Sequence, residues 1–133
     1  MAVTDRARLL AETAALAAAD KLAQDVVAID VSERLPLTDA FVIASAPSER
    51  QVQAVVDGVE ERLRALDAKP VRREGAQEAR WVLLDFADIV VHVLHTEERE
   101  YYGLERLWKD CPAVPLPPEV YGPPQPVDRP AGG

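Results

Sequence analysis

The apolar positions of this chain change period four times, and each change marks an element. From Thr4 to about Ala23 the chain is rich in Ala and Leu, contains no Gly or Pro, and offers Thr4 as an N-cap, so it predicts a first helix. Asp25 to Val31 and Phe41 to Ser45 are dominated by β-branched and other apolar residues and are separated by a turn signal at Leu35-Pro36, so they predict two strands. Ser48-Glu-Arg-Gln51 reads as a capping box. It opens a helix whose apolar stripe runs Val52, Val55, Val56, Val59, Leu63 and Leu66 and ends before Pro70, with Gly58 as a tolerated cost. Pro70 to Glu74 has the charge and leading proline of an edge strand.

The strongest alternation lies in Arg80 to Phe86 and Ile89 to Leu94, two strands joined by a turn short enough to require an antiparallel hairpin. With Ala87 and Asp88 as the turn, Val82, Leu84, Phe86, Ile89, Val91 and Val93 share one wholly apolar face. Trp81, Leu83 and Asp85 then share the other face with Val90, His92 and Leu94. A shift of one residue would destroy this sorting, which argues for the register. A last helix follows, with Thr96 as its N-cap, Glu97 and Glu98 at its positive end, and Tyr101, Leu104, Leu107 and Trp108 as its stripe. Pro112 stops it.

The predicted order is α-β-β-α-β-β-β-α. A helix between the second and third strands permits a crossover, which gives an α/β (α+β) fold with a mixed five-stranded sheet and packed helices. Residues 1–111 form the expected domain. Residues 112–133 hold eight prolines and three glycines and are expected to form a flexible tail without regular structure.

Composition narrows the function. The 133 residues suit one core, and a 48% hydrophobic, 29% charged balance is that of a folded soluble domain. A net charge of -8 repels phosphate backbones, so little direct nucleic-acid binding is expected, whereas a basic protein surface would be a suitable partner. The single cysteine, Cys111, excludes an intramolecular disulfide and a cysteine-rich zinc site. With no apolar run near the roughly 20 residues that span a bilayer, the expectation is a cytoplasmic protein without membrane contact.

Catalytic chemistry finds no home in the pattern. His92 and His95 are three apart on a strand and point to opposite faces, so no metal site is expected there. Asp85 and His92 could pair diagonally, but neither a nucleophile nor a glycine-rich phosphate cradle accompanies them. Capping accounts for Ser48, and Cys111 has nothing beside it to activate it. Trp81 can be read as a core aromatic or, in company with an aspartate, a histidine and aliphatic residues, as the anchor of a protein interface.

Four segments carry a family resemblance: Asp39 to Ser45, Ser48 to Val56, Trp81 to His92, and Arg99 to Trp108. Taken in order they resemble the Iojap, or ribosomal silencing factor (RsfS), family from about residue 8 to Asp110. The resemblance implies a fold related to nucleotidyltransferases without their activity, and no cofactor. That chemistry would require a Gly-Ser turn and two carboxylates one residue apart, whereas here the turn reads Ala46-Pro47-Ser48 and Asp85 and Asp88 are three apart. It implies binding to the large ribosomal subunit at the ribosomal protein called L-fourteen, which blocks subunit joining and lowers translation when nutrients are short. Carried over residue by residue, the contacts are Trp81, Leu83, Asp85, Val90 and His92 on the hairpin, with Glu98, Arg99 and Tyr102 on the last helix. Asp88 is assigned to shaping the turn. A homodimer through the same face, and a nucleotide-handling enzyme, are the competing readings. The chain departs from the family at Ala40, where an aromatic is usual, and at Ala46 and Ala87, where glycine is usual. Alanine adopts positive φ only at a cost, which leaves a tight turn and a wider one both open at Ala87.

Overall fold

In a computed structural model, which describes residues 3–121, the expected element order is present. Helix α1 (Asp5–Asp20) is followed by β1 (Gln24–Asp30), β2 (Ala40–Ala46), α2 (Glu49–Arg64), β3 (Arg72–Glu74), β4 (Trp81–Asp85) and β5 (Ile89–His95). The expected last helix is divided into α3 (Thr96–Tyr102) and a short α4 (Leu104–Leu107). Thr4 caps α1 by accepting from the Ala7 N–H at 3.0 Å. Ser48 likewise accepts from Gln51, at 3.2 Å, but the reciprocal half of the capping box does not form. Gln51 Nε2 instead donates to the carbonyls of Lys21 and Leu22, tying the start of α2 to the end of α1. A Cβ at Gly58 would sit 3.0 Å from Cγ of the exposed Lys21 side chain, which would have to shift slightly to admit it.

The sheet order is β1-β2-β5-β4-β3, with β2 and β5 parallel and every other pair antiparallel. Placed centrally, β2 and β5 are buried along their whole length. One face of the sheet lies under α1 and α2, where Val42, Ala44, Val82, Leu84, Val91 and Val93 join the helix stripes in the main core. The alanines of α1 bring it onto the sheet with little side chain between, and charged β3 closes one sheet edge as expected.

A second, smaller cluster forms on the opposite face from Ile29, Val31, Phe41, Ile43, Val90, Leu94 and Leu104. The expectation that everything from Pro112 onward is irregular is corrected for residues 112–121. Ala113 bridges to Ile29, Val114 and Val120 are buried, and Pro118–Tyr121 forms a 3-10 turn. These apolar residues, spaced between the prolines, cover the edge of β1. The remainder of the expected tail, 122–133, lies outside the described residues.

The hairpin register is the expected one: Trp81 opposes Leu94, Leu83 opposes His92, and Asp85 opposes Val90. Its turn is tight. Phe86 donates to the Ile89 carbonyl at 2.9 Å, and Ala87 takes φ +73, in the left-handed region. An L-residue there is strained by about 1–2 kcal/mol, of which glycine's greater unfolded-state freedom would return part. Ala87→Gly should therefore stabilise the fold by roughly 0.5–1 kcal/mol in urea denaturation; a destabilised variant would contradict this account of the turn.

Candidate docking surface

The second face of the hairpin is graded from closed to open. On central β5, Val90, His92 and Leu94 are buried, while Trp81, Leu83 and Asp85 on outer β4 are half-buried. The difference follows from position, since β5 has full-length neighbours on both sides and β4 has only three-residue β3 on one. Aromatic rings form a continuous series across this face. Trp108 packs edge-on to Phe41 (5.0 Å between ring centres), Phe41 to His92 (4.7 Å), Trp81 against Tyr102 (5.1 Å), and Tyr102 edge-on to Tyr101 (4.9 Å).

The link between His92 and Trp81 is a hydrogen bond. Trp81 Nε1 donates to His92 Nδ1 at 3.2 Å. An indole nitrogen can only donate, so Nδ1 must be unprotonated. Burial agrees with this, lowering the His92 pKa from 6.5 to about 4, so the ring is neutral near pH 7 with its hydrogen on Nε2.

The acidic members are already engaged. Asp85 Oδ1 accepts from the Ala87 N–H at 2.8 Å, and Oδ2 lies 3.9 Å from Arg72 Nη2. Asp85 rather than Asp88 therefore contributes the side chain that braces the turn. Glu98 accepts from Arg80 Nη2 at 2.6 Å, and the same guanidinium also binds Glu49 (3.0 Å) and Glu97 (3.1 Å). These bonds, with Glu98 first, raise the Arg80 pKa above its ordinary value and keep it charged. Three carboxylates around one cation leave this cluster net negative. His95, Glu97 and Glu98 also bring possible metal-ligand atoms within 4.8 Å of one another, but Arg80 holds both carboxylates. His95 in addition caps α3 through Nδ1, which accepts from the Glu97 N–H at 3.1 Å; Thr96, the expected cap, is the first helical residue instead.

Arg99, expected as a partner contact, is internal at 8% exposure. Its Nε and Nη2 donate to Glu105 Oε2 (3.0 and 2.6 Å), and Nη1 donates to Ser45 Oγ and the Gln24 carbonyl (3.1 and 3.3 Å). Burial alone would raise the Glu105 pKa, but Arg99's hydrogen bond and charge outweigh it and leave the carboxyl below its usual range. Arg99 thus pins α3 and α4 to the ends of β1 and β2. Between the two helices Gly103 adopts φ +56, so the expected single stripe is broken. Leu104 is buried and Trp108 half-buried beneath Arg34, whereas Tyr101 and Leu107 are 82% and 68% exposed. Tyr102, at 53%, lies beside Trp81. The Tyr-Tyr-Gly sequence carried this signal, since glycine just past a helical run marks a C-terminus. The contacts of Arg80, and those of Arg99 with Gln24 and Ser45, are long-range and left no local mark.

Comparison with known proteins identifies relatives in sequence and in fold. Residues 4–131 match the family model described as ribosomal silencing factor during starvation. The ribosomal silencing factor RsfS of Bacillus subtilis is 42% identical over 103 residues, covering 77% of this chain and 87% of that protein. Among solved structures, a Chromobacterium violaceum protein superposes with a TM-score of 0.74 at 31% identity, covering 82% of this chain and 88% of its own. One from Bacillus halodurans gives 0.69 at 41% identity, covering 78% and 94%.

The buried histidine makes stability depend on pH in a defined direction. Between pH 6.5 and about 4 the unfolded chain takes up a proton at His92 that the folded chain refuses, so stability falls as pH is lowered through that window. From pH 7 to pH 5 the loss should be about 2 kcal/mol. Urea unfolding of the wild type and of His92→Leu at both pH values isolates this contribution from the carboxylates. Equal losses in the two proteins would show that His92 is not buried neutral.

Proposed function

Because the chain belongs to the ribosomal silencing factor (RsfS, Iojap) family, we propose that it binds the large ribosomal subunit at L-fourteen and blocks the small subunit sterically. On this reading it lowers translation when nutrients are limited, works in the cytoplasm beside the ribosomes, and needs no catalytic step. The observation that carries the proposal is Trp81: a large aromatic, half-exposed on a rigid strand, flanked by Leu83 and Tyr102, with the neighbouring residue Arg80 gathering Glu49, Glu97 and Glu98. An aromatic anchor inside a polar rim is the usual distribution of energy in a protein interface.

The negative cluster and the overall charge of -8 favour a basic protein over ribosomal RNA as the direct contact, and they would speed and orient docking. Trp81, Leu83 and Tyr102 supply the buried area in this reading. Val90, His92 and Arg99 support the surface from beneath, and Asp85 and Glu98 contribute charge while holding the turn and Arg80. Asp85 and His92 are engaged separately, with the Ala87 N–H and the Trp81 indole, and Ser45 Oγ donates to the Gln24 carbonyl and accepts from Arg99.

Sedimentation of purified subunits with added protein tests the proposal. Joined ribosomes should fall as the protein saturates the large subunit, and unchanged joining at saturation would refute the mechanism. Trp81→Ala should weaken binding to large subunits by about 2 kcal/mol or more, roughly 30-fold. A folded Trp81→Ala protein that binds normally would remove Trp81 from the interface.

A further inference from the structure

We propose that His92 is a positioning residue for docking: it accepts the Trp81 indole N–H and so sets how that ring is presented, without touching the partner itself. This rests on the reading of Trp81 as the docking anchor. His92 is 5% exposed and can offer a partner almost no surface. It is itself held firmly, opposite Leu83 on β4 and Ile43 on β2 in the sheet ladder, with its ring edge-on to Phe41. Trp81 opposes Leu94, so His92 is its diagonal neighbour on the same face, and the indole leans across to reach it. Tyr102 contacts Trp81 as well, so the half-exposed ring is held by a hydrogen bond to the sheet and by a contact with α3.

The chemistry of the position argues against a purely structural role. The rest of β5 up to Leu94 is Ile89, Val90, Val91, Val93 and Leu94, all aliphatic. A histidine in that row removes two ring nitrogens from water, and only one of them is satisfied. Nδ1 receives the indole hydrogen, whereas Nε2 is buried with no hydrogen-bond partner among the described residues. A half-satisfied buried imidazole costs stability that leucine in the same space would not. What leucine cannot do is accept the indole N–H. Besides its edge-on contact with Phe41, the bond to Trp81 is what an aliphatic residue would lose, and it ends on the proposed anchor.

Two full-length variants test this. His92→Leu keeps bulk and removes the acceptor, and His92→Asn places an amide oxygen near the position of Nδ1. The Trp81 indole N–H resonance, assigned with Trp81→Phe, reports the hydrogen bond through its shift and its exchange with solvent, independently of any ribosome. Affinity for purified large ribosomal subunits is measured alongside it. In His92→Leu the resonance should shift and exchange faster, stability at pH 7 should hold or rise, and affinity should fall roughly 5- to 10-fold, within the range of one hydrogen bond. His92→Asn should recover part of both the resonance and the affinity. Normal affinity in a folded His92→Leu protein whose indole has been released overturns the positioning role. If Trp81→Ala still loses binding in that case, the docking reading survives it. A wild-type protein that fails to bind large subunits removes the docking reading and, with it, the role of His92.

Discussion

The pairing of β4 with β5 is the constraint on which the rest depends. Because side chains alternate along a strand, this one register sends Val82, Leu84, Val91 and Val93 into the core beneath α1 and α2. It also places Trp81, Leu83 and His92 together on the opposite side. A slip of one residue would put histidine and aspartate into the main core and strand the valines outside. The register is secured at its closed end by a turn that tolerates Ala87 at positive φ, braced by the Asp85 carboxylate. At its open end, His95 donates its backbone N–H to the Arg80 carbonyl at 2.8 Å.

From this pairing the second face acquires its character. Its inner strip is dry and fixed because β5 is central, and its outer strip is open because β4 faces a short, charged edge strand. Gly103 and Arg99 complete it. The glycine breaks the helix so that Tyr101 and Tyr102 face outward while Leu104 turns in, and the Arg99–Glu105 pair holds the break against the ends of β1 and β2. Arg80 gathers Glu49, Glu97 and Glu98 from α2 and α3, so this acidic cluster is part of the architecture as well as a source of charge.

Much of this was legible in the sequence where the signal was local and periodic. Alternation in 80–94 specified the hairpin, its register and both faces, and Thr4 and Ser48 marked two helix starts correctly. What was not legible depended on partners distant in sequence. Arg99 reads as a surface charge on a helix because two of its acceptors, Ser45 and Gln24, lie more than 50 residues away. His92 was correctly placed on the face, but its depth there depends on Phe41 and Ile43 of β2. Tyr101 and Leu107 fall on the apolar stripe only if a 3.6-residue period runs on through Gly103, where the backbone abandons it. Pro112 to Tyr121 was judged by its prolines, while Val114 and Val120 between them reach the core.

The central claim is that one face of the sheet docks and the other does not. Hydrogen–deuterium exchange of the full chain, free and with saturating large ribosomal subunits, tests it most directly. The account predicts slowed exchange confined to β4 around Trp81–Asp85 and to α3 near Tyr102, with α1 and the outer surface of α2 unchanged. Protection centred on α1 and α2, with the hairpin and α3 unaffected, would contradict it.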